Sequence, residues 1–171
     1  LIVLPDLSGS DPRGLSEAEL LPQLQSLSRE TRVLVAALMA ERTEHATFRT
    51  AYLLGTGELL VKHRQTHLTA REEDLGFTPG DEPVPVIETA IGNIGLVAGA
   101  EGLVPEVARG LKLAGAEVLA WCAGDAGVPL RSLARARANE ERAYVVCAGD
   151  TSSAGGGYVV DPTGRSEEHT S

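Results

Sequence analysis

The stretch Ile94-Gly95-Leu96-Val97-Ala98-Gly99-Ala100-Glu101-Gly102-Leu103-Val104-Pro105-Glu106-Val107-Ala108-Arg109 decides how the rest of the chain is read. An apolar run ends in small residues and Pro-Glu then opens an amphipathic segment, so a buried strand is expected to turn sharply into a helix. Pro105 suits the first helical position, Glu106 lies near the positive helix end, and Arg109 three residues on is spaced for an ion pair with it. Open α/β folds build their sites at such bends, beyond the carboxyl ends of strands. The bend is therefore a candidate position for a nucleophile or a bound anion. No nucleophile occupies it.

Working outward, residues 104–114 read as a helix stopped by Gly115, and residues 116–121 as a strand, which makes a βαβ unit around the bend. Residues 131–142 read as a second helix and residues 144–148 as a strand. Gly155-Gly156-Gly157 has no helix after it, so it reads as a turn rather than a phosphate cradle. On the N-terminal side, residues 84–88 and 93–98 are short strands. Residues 48–54 and 58–61 flank Gly55-Thr56-Gly57 as a hairpin, residues 71–80 read as a charged loop, and residues 31–39 as an apolar, β-branched strand. Ser16 with Glu19 forms a capping box ahead of the helical stripe Leu20, Leu21, Leu24 and Leu27. Pro22 conflicts with that stripe, so the helix starts late or bends there. Leu1-Ile2-Val3-Leu4-Pro5-Asp6 is apolar until Pro and reads as a buried parallel strand with Asp6 at its carboxyl end. Strands and helices alternate without a long linker, which gives a two-layer α/β unit with no internal repeat.

The 171 residues are 43% apolar, enough for one core. A net charge of −9 with no basic cluster argues against nucleic acid or an anionic membrane surface as partner. No apolar run approaches the ~18 residues of a membrane span. Two cysteines, Cys122 and Cys147, cannot build a disulfide framework and point to a reducing, cytoplasmic compartment. The chain opens at Leu1 inside an apolar run, so its native start is expected further upstream. Residues 1–164 are expected to form one partial domain. Residues 165–171 are similar to the in-frame translation of a sequencing-adapter oligonucleotide and read as a non-native tail.

The bend resembles the elbow of the nitrilase superfamily of carbon–nitrogen hydrolases, which runs Ile-Gly, three apolar residues, Cys, any residue, Asp or Glu, and later Pro-Glu and Arg. The family's nucleophilic Cys falls on Gly99, while Glu101, Pro105, Glu106 and Arg109 match. Further blocks follow in the family's order. Leu4-Pro5-Asp6 stands where the family has Leu-Pro-Glu or Phe-Pro-Glu. His63-Arg64-Gln65-Thr66-His67-Leu68 stands where it has Tyr-Arg-Lys, one residue, His-Leu. Phe77-Thr78-Pro79-Gly80 closes the charged loop, Arg135-Ala136-Arg137-Ala138-Asn139-Glu140-Glu141 stands where it has Arg-Ala-Arg-Ala, one residue, Glu-Asn, and the run from Gly155 to Gly164 matches its last strand and turn except that Gly157 replaces a Ser. The resemblance implies an α-β-β-α sandwich, truncated at both ends, that pairs through its helices into a homodimer. It also implies a small amide-like ligand and no cofactor or metal.

The chemistry so implied is acyl transfer through a thiol, with Glu as general base and Lys stabilising the developing negative charge. All three positions are altered. Asp6 keeps a carboxylate but is one methylene short, Gln65 stands in the place of Lys, and Gly99 in that of the nucleophile. Lys62, three positions before Gln65, points to the other face of its strand. Glu101, Trp121 and Cys122 are candidate binding residues. Cys122 is a candidate replacement nucleophile, though a small buried residue is the plainer reading. Glu72 or Glu73 is a candidate counterpart of a family Glu that assists catalysis, against a solvated surface carboxylate. His63 and His67, four apart on an extended segment, read as hydrogen-bonded or surface residues rather than zinc ligands.

Overall fold

Two sheets packed face to face between helices carry the chain. A computed structural model describes residues 1–9, 11–124, 129–150 and 156–169, the last three as backbone only. Gly155 and the two final residues of the expected tail lie outside the described residues.

The first sheet has the order β1 (Ile2–Asp6), β2 (Val35–Arg42), β3 (Thr47–Gly55), β4 (Glu58–Arg64). The second has the order β10 (Ser166–His169), β9 (Gly157–Val160), β8 (Tyr144–Gly149), β7 (Val118–Gly124), β6 (Gly92–Ala98), β5 (Val86–Thr89). Its central strands β6, β7 and β8 run parallel, as strands joined by helical crossovers must. Helix α1 (Glu17–Thr31) covers the outer face of the first sheet, with Leu24 against Val35, Ala37, Met39, Tyr52 and Leu54. Helices α3 (Pro105–Leu113) and α4 (Leu130–Glu141) cover the second, with Leu111, Ala134 and Ala138 against Leu119, Trp121 and Val145. Between the sheets lie Ala36, Leu38, Ala51 and Leu53 from one side and Ile94, Leu96, Ala98, Ala120 and Cys122 from the other. The architecture is the four-layer α-β-β-α sandwich, not the two-layer unit that alternation alone suggests. Periodicity identifies strands but does not reveal that two sheets stack.

Several elements differ from their sequence reading. The residue 31–39 strand begins only at Val35, because Thr31 ends α1 and Arg32 caps it at a left-handed φ of 56°. The capping box holds α1 from Glu17 onward, and Pro22 sits inside the helix. Strand β1 is a half-buried edge strand, paired on one side with β2. The charged loop contains a short helix α2 (Ala70–Asp74), capped by Thr69 and Glu72. Arg109 makes its ion pair across to Glu141 on α4 at 3.1 Å rather than with Glu106. The hairpin turn is as read, with positive φ at Thr56 (51°) and Gly57 (84°), the hand that two-residue hairpin loops need. Residues 166–169, read as part of a tail, form the edge strand β10 antiparallel to β9.

Candidate functional site

Strand β6 ends at Ala98, and the chain turns through a 3-10 segment, Gly99–Leu103, before Pro105 opens α3. Gly99 starts this turn with φ +51°, a region that disfavours side chains. Three buried groups pin the turn. The Trp121 indole N–H donates to the Gly99 carbonyl at 2.8 Å. Arg137 on α4 donates to the carbonyls of Gly102 and Leu103, both at 3.1 Å. The Glu101 carboxylate, wholly buried, accepts from Ala98 N–H (3.0 Å), Thr66 N–H (2.7 Å), the Thr66 hydroxyl (2.8 Å) and His63 Nε2 (2.9 Å). Burial opposes its charge, but His63 and these N–H groups outweigh that and hold the carboxyl below its usual range. Gly102 lies so close to the Trp121 ring that a Cβ there would overlap it.

The three positions that the family pattern singles out come together here. Asp6 lies at the end of β1, Gln65 just after β4, and Gly99 at the bend. A Cβ on Gly99 would overlap Gln65 Oε1 and lie 3.1 Å from Gln65 Cδ and 3.5 Å from Arg49 Cζ. The Gln65 amide nitrogen donates to Glu72 Oε2 at 3.0 Å and to the His67 carbonyl at 2.9 Å. Gly124, at the end of β7, completes the wall, since a Cβ there would lie 3.0 Å from Asp6 Cβ.

Arg49 on β3 fills the centre. Its Nη2 donates to Asp6 Oδ2 at 2.8 Å and its Nη1 to Glu72 Oε1 at 2.6 Å, with all three side chains between 7% and 9% exposed. The Phe77 ring lies 5.8 Å from the guanidinium. Burial pushes the Asp6 carboxyl up to about 6, although Arg49 and the Ser8 N–H pull it down. Two buried polar atoms of this site, Arg49 Nε and Gln65 Oε1, lack hydrogen-bond partners among the described residues.

Arg49 escaped the sequence reading although a signal existed. In a strand of period two it shares a face with Ala51 and Leu53, which point between the sheets. A charge on that face requires a partner. Of the two carboxylates weighed between a catalytic counterpart and a solvated surface group, Glu73 is exposed, whereas Glu72 is buried and ion-paired, because the capping box of α2 aims it inward. Of the candidate binding residues, Trp121 donates its indole N–H to the elbow, and the buried Glu101 carboxylate is shared between Ala98 of the elbow, Thr66 and His63. Cys122 lies between the sheets, and burial raises its thiol, with Asp6 adding to the rise. A recruited nucleophile needs the opposite shift. His63 is buried on Glu101, whereas the His67 ring contacts the Thr66 hydroxyl, so the two do not converge.

A family model described as carbon-nitrogen hydrolase matches residues 1–166, and the chain belongs to that family. It is similar to a nitrilase from Pyrococcus abyssi, 30% identical over 140 residues, covering 78% of this chain and 51% of that protein. It is also similar to an N-carbamoylputrescine amidase from Solanum tuberosum, 29% identical over 101 residues, covering 57% of this chain and 34% of that protein. The chain thus spans about half or less of the length of these relatives. Among solved structures, a cysteine-to-alanine mutant of an amidase from Nesterenkonia AN1 shares the fold, with a TM-score of 0.82 at 21% identity over 98% of this chain and 72% of that one. The same mutant amidase in complex with butyramide matches with a TM-score of 0.81 at 22% identity over 96% of this chain and 71% of that one.

Proposed function

We propose that this chain is a catalytically silent carbon–nitrogen hydrolase domain, acting in the cytoplasm as a binding or regulatory module for a small amide-like ligand and pairing into a homodimer. The observation that carries the reading is Gly99, a residue without a side chain at the elbow, whose side-chain space is taken by the Gln65 amide. The other two departures are smaller. A misplacement near 1 Å, as from Asp6, can cost ~10²-fold, and one lost oxyanion contact at Gln65 ~3 kcal/mol. Losing a covalent nucleophile costs on the order of 10⁶ in kcat, or ~8 kcal/mol. A neighbouring amidase structure carries an acetamide moiety on its active-site cysteine; here the atoms nearest a Cβ at Gly99 belong to Gln65 and Arg49. The test is hydrolysis of small amides, nitriles and carbamoyl compounds by the full chain. No turnover above the uncatalysed rate is expected, and turnover abolished by Asp6→Ala would overturn the reading. Light scattering checks the dimer, for which the exposed Leu113 on α3 is a candidate contact.

One observation favours a second reading. Asp6, with a proton affinity near neutrality, is suited to activate water directly in an active hydrolase of the same compounds. That reading requires a rate that falls below pH about 6 and vanishes in Asp6→Asn.

A further inference from the structure

We infer that Arg49 is the positioning residue that closes the junction, a single guanidinium from β3 that holds the carboxylates of Asp6 and Glu72 together where Gln65 supplies no charge. This goes beyond the silent-module reading and holds whether or not the chain turns over a substrate.

The geometry is that of a bridge. The two ends of one fork reach two different elements, β1 at 2.8 Å and α2 at 2.6 Å, and the bridging side chain is 7% exposed. Without it, two largely buried carboxylates would face each other across a neutral amide, an arrangement that disfavours ionising both. The cations of β4 are committed elsewhere, since Lys62 and Arg64 both reach Glu41 at 2.7 Å on the other face of the sheet. His63 is held by Glu101. Other groups against the bridge are the Ser8 N–H on Asp6, the Thr69 N–H and hydroxyl and the Gln65 amide on Glu72, the Phe77 ring, and the side-chain-free walls at Gly99 and Gly124; the Cys122 thiol on β7 lies near enough to Asp6 to feel its charge.

Positions 49, 65 and 99 are therefore interdependent. A cation at 65 would press a second positive charge against Arg49, and a side chain at 99 would displace Gln65 Oε1. Because Gln65 Nε2 also holds Glu72, that displacement would reach the bridge.

The test compares urea unfolding of the full chain with Arg49→Met, Gln65→Lys and the double variant between pH 5 and 8. Breaking a buried ion pair from one side is costly, so Arg49→Met is expected to lower the folded-to-unfolded ratio by on the order of 10²-fold or more at pH 8. The loss should shrink toward pH 5, where the stranded Asp6 carboxyl accepts a proton. Gln65→Lys alone should destabilise, yet in the Arg49→Met background it should restore a large part of the loss at pH 8. A loss independent of pH, or a double variant as weak as the sum of the singles, would overturn the inference. Should Arg49→Met not fold, Arg49→Lys replaces it. Retained charge predicts a wild-type pH profile at reduced stability, and a loss relative to wild type that grows with rising pH would equally overturn it.

Discussion

Glycine at position 99 answers to two constraints at once, a left-handed backbone and a neighbour that leaves no space. A φ of +51° in a residue with a side chain costs on the order of 1–3 kcal/mol, and overlap with Gln65 Oε1 adds to it. Gly99→Ala is therefore expected to lower stability by at least ~1 kcal/mol, read from the urea midpoint, and Gly99→Ala with Gln65→Ala to recover only the overlap part. Asp6 makes a separate prediction. Its carboxyl is raised from 3.8 to about 6, so between those values the folded chain binds more protons than the unfolded one. Stability should then fall as pH rises from about 4 to about 6 and level off above, by ~3 kcal/mol at the order-of-magnitude level. Asp6→Asn should remove that slope, and an unchanged slope would assign it to another group. At this scale the sequence was partly legible. Asp6, Gln65 and Gly99 belong to blocks far apart in the chain and meet in space, because each ends or follows a strand whose position the fold fixes. Arg49 was not legible, since nothing local to β3 announces that two carboxylates from β1 and α2 will approach it.

The elbow is held in shape by side chains from three different parts of the chain. Trp121, Glu101 and Arg137 come from β7, the turn itself and α4, and each makes at least one hydrogen bond to the backbone of the turn or of its first flanking residue, Ala98. Trp121→Phe keeps the ring and loses one N–H donor to a buried carbonyl, an expected cost of ~1–3 kcal/mol by thermal or urea unfolding. Gly102→Ala should be worse than Gly99→Ala, because its obstacle is a packed indole rather than the end of a flexible amide. The strand, bend and helix here were readable from apolar patterning and Pro105. The short α2 was not, because five residues are too few to display a helical period, and its capping box Thr69–Glu72 was the signal that remained. The role of Glu101 was also out of reach, since a carboxylate spaced for a ligand looks the same in sequence as one spaced for its own backbone.

Across the whole molecule, the strands other than β10 and most helices follow from the sequence pattern, while the stacking of the sheets was implied only by the family resemblance. The inner face decides the fate of the thiols. Cys122 lies in the layer between the sheets and Cys147 in the layer beneath the helices, and burial pushes the latter up to about 12. Both should resist alkylation in the native state and react only as fast as the chain opens, so the labelling rate should climb with urea in step with unfolding. Rapid native labelling at Cys122 would revive it as a nucleophile. The sandwich carries one further consequence. Its sequence holds a single tryptophan, and that indole is lodged directly under the bend. Intrinsic fluorescence of the unlabelled chain is thus a built-in gauge of this one turn, and a small molecule that settles there should announce itself as a shift in emission before any partner or product has been identified.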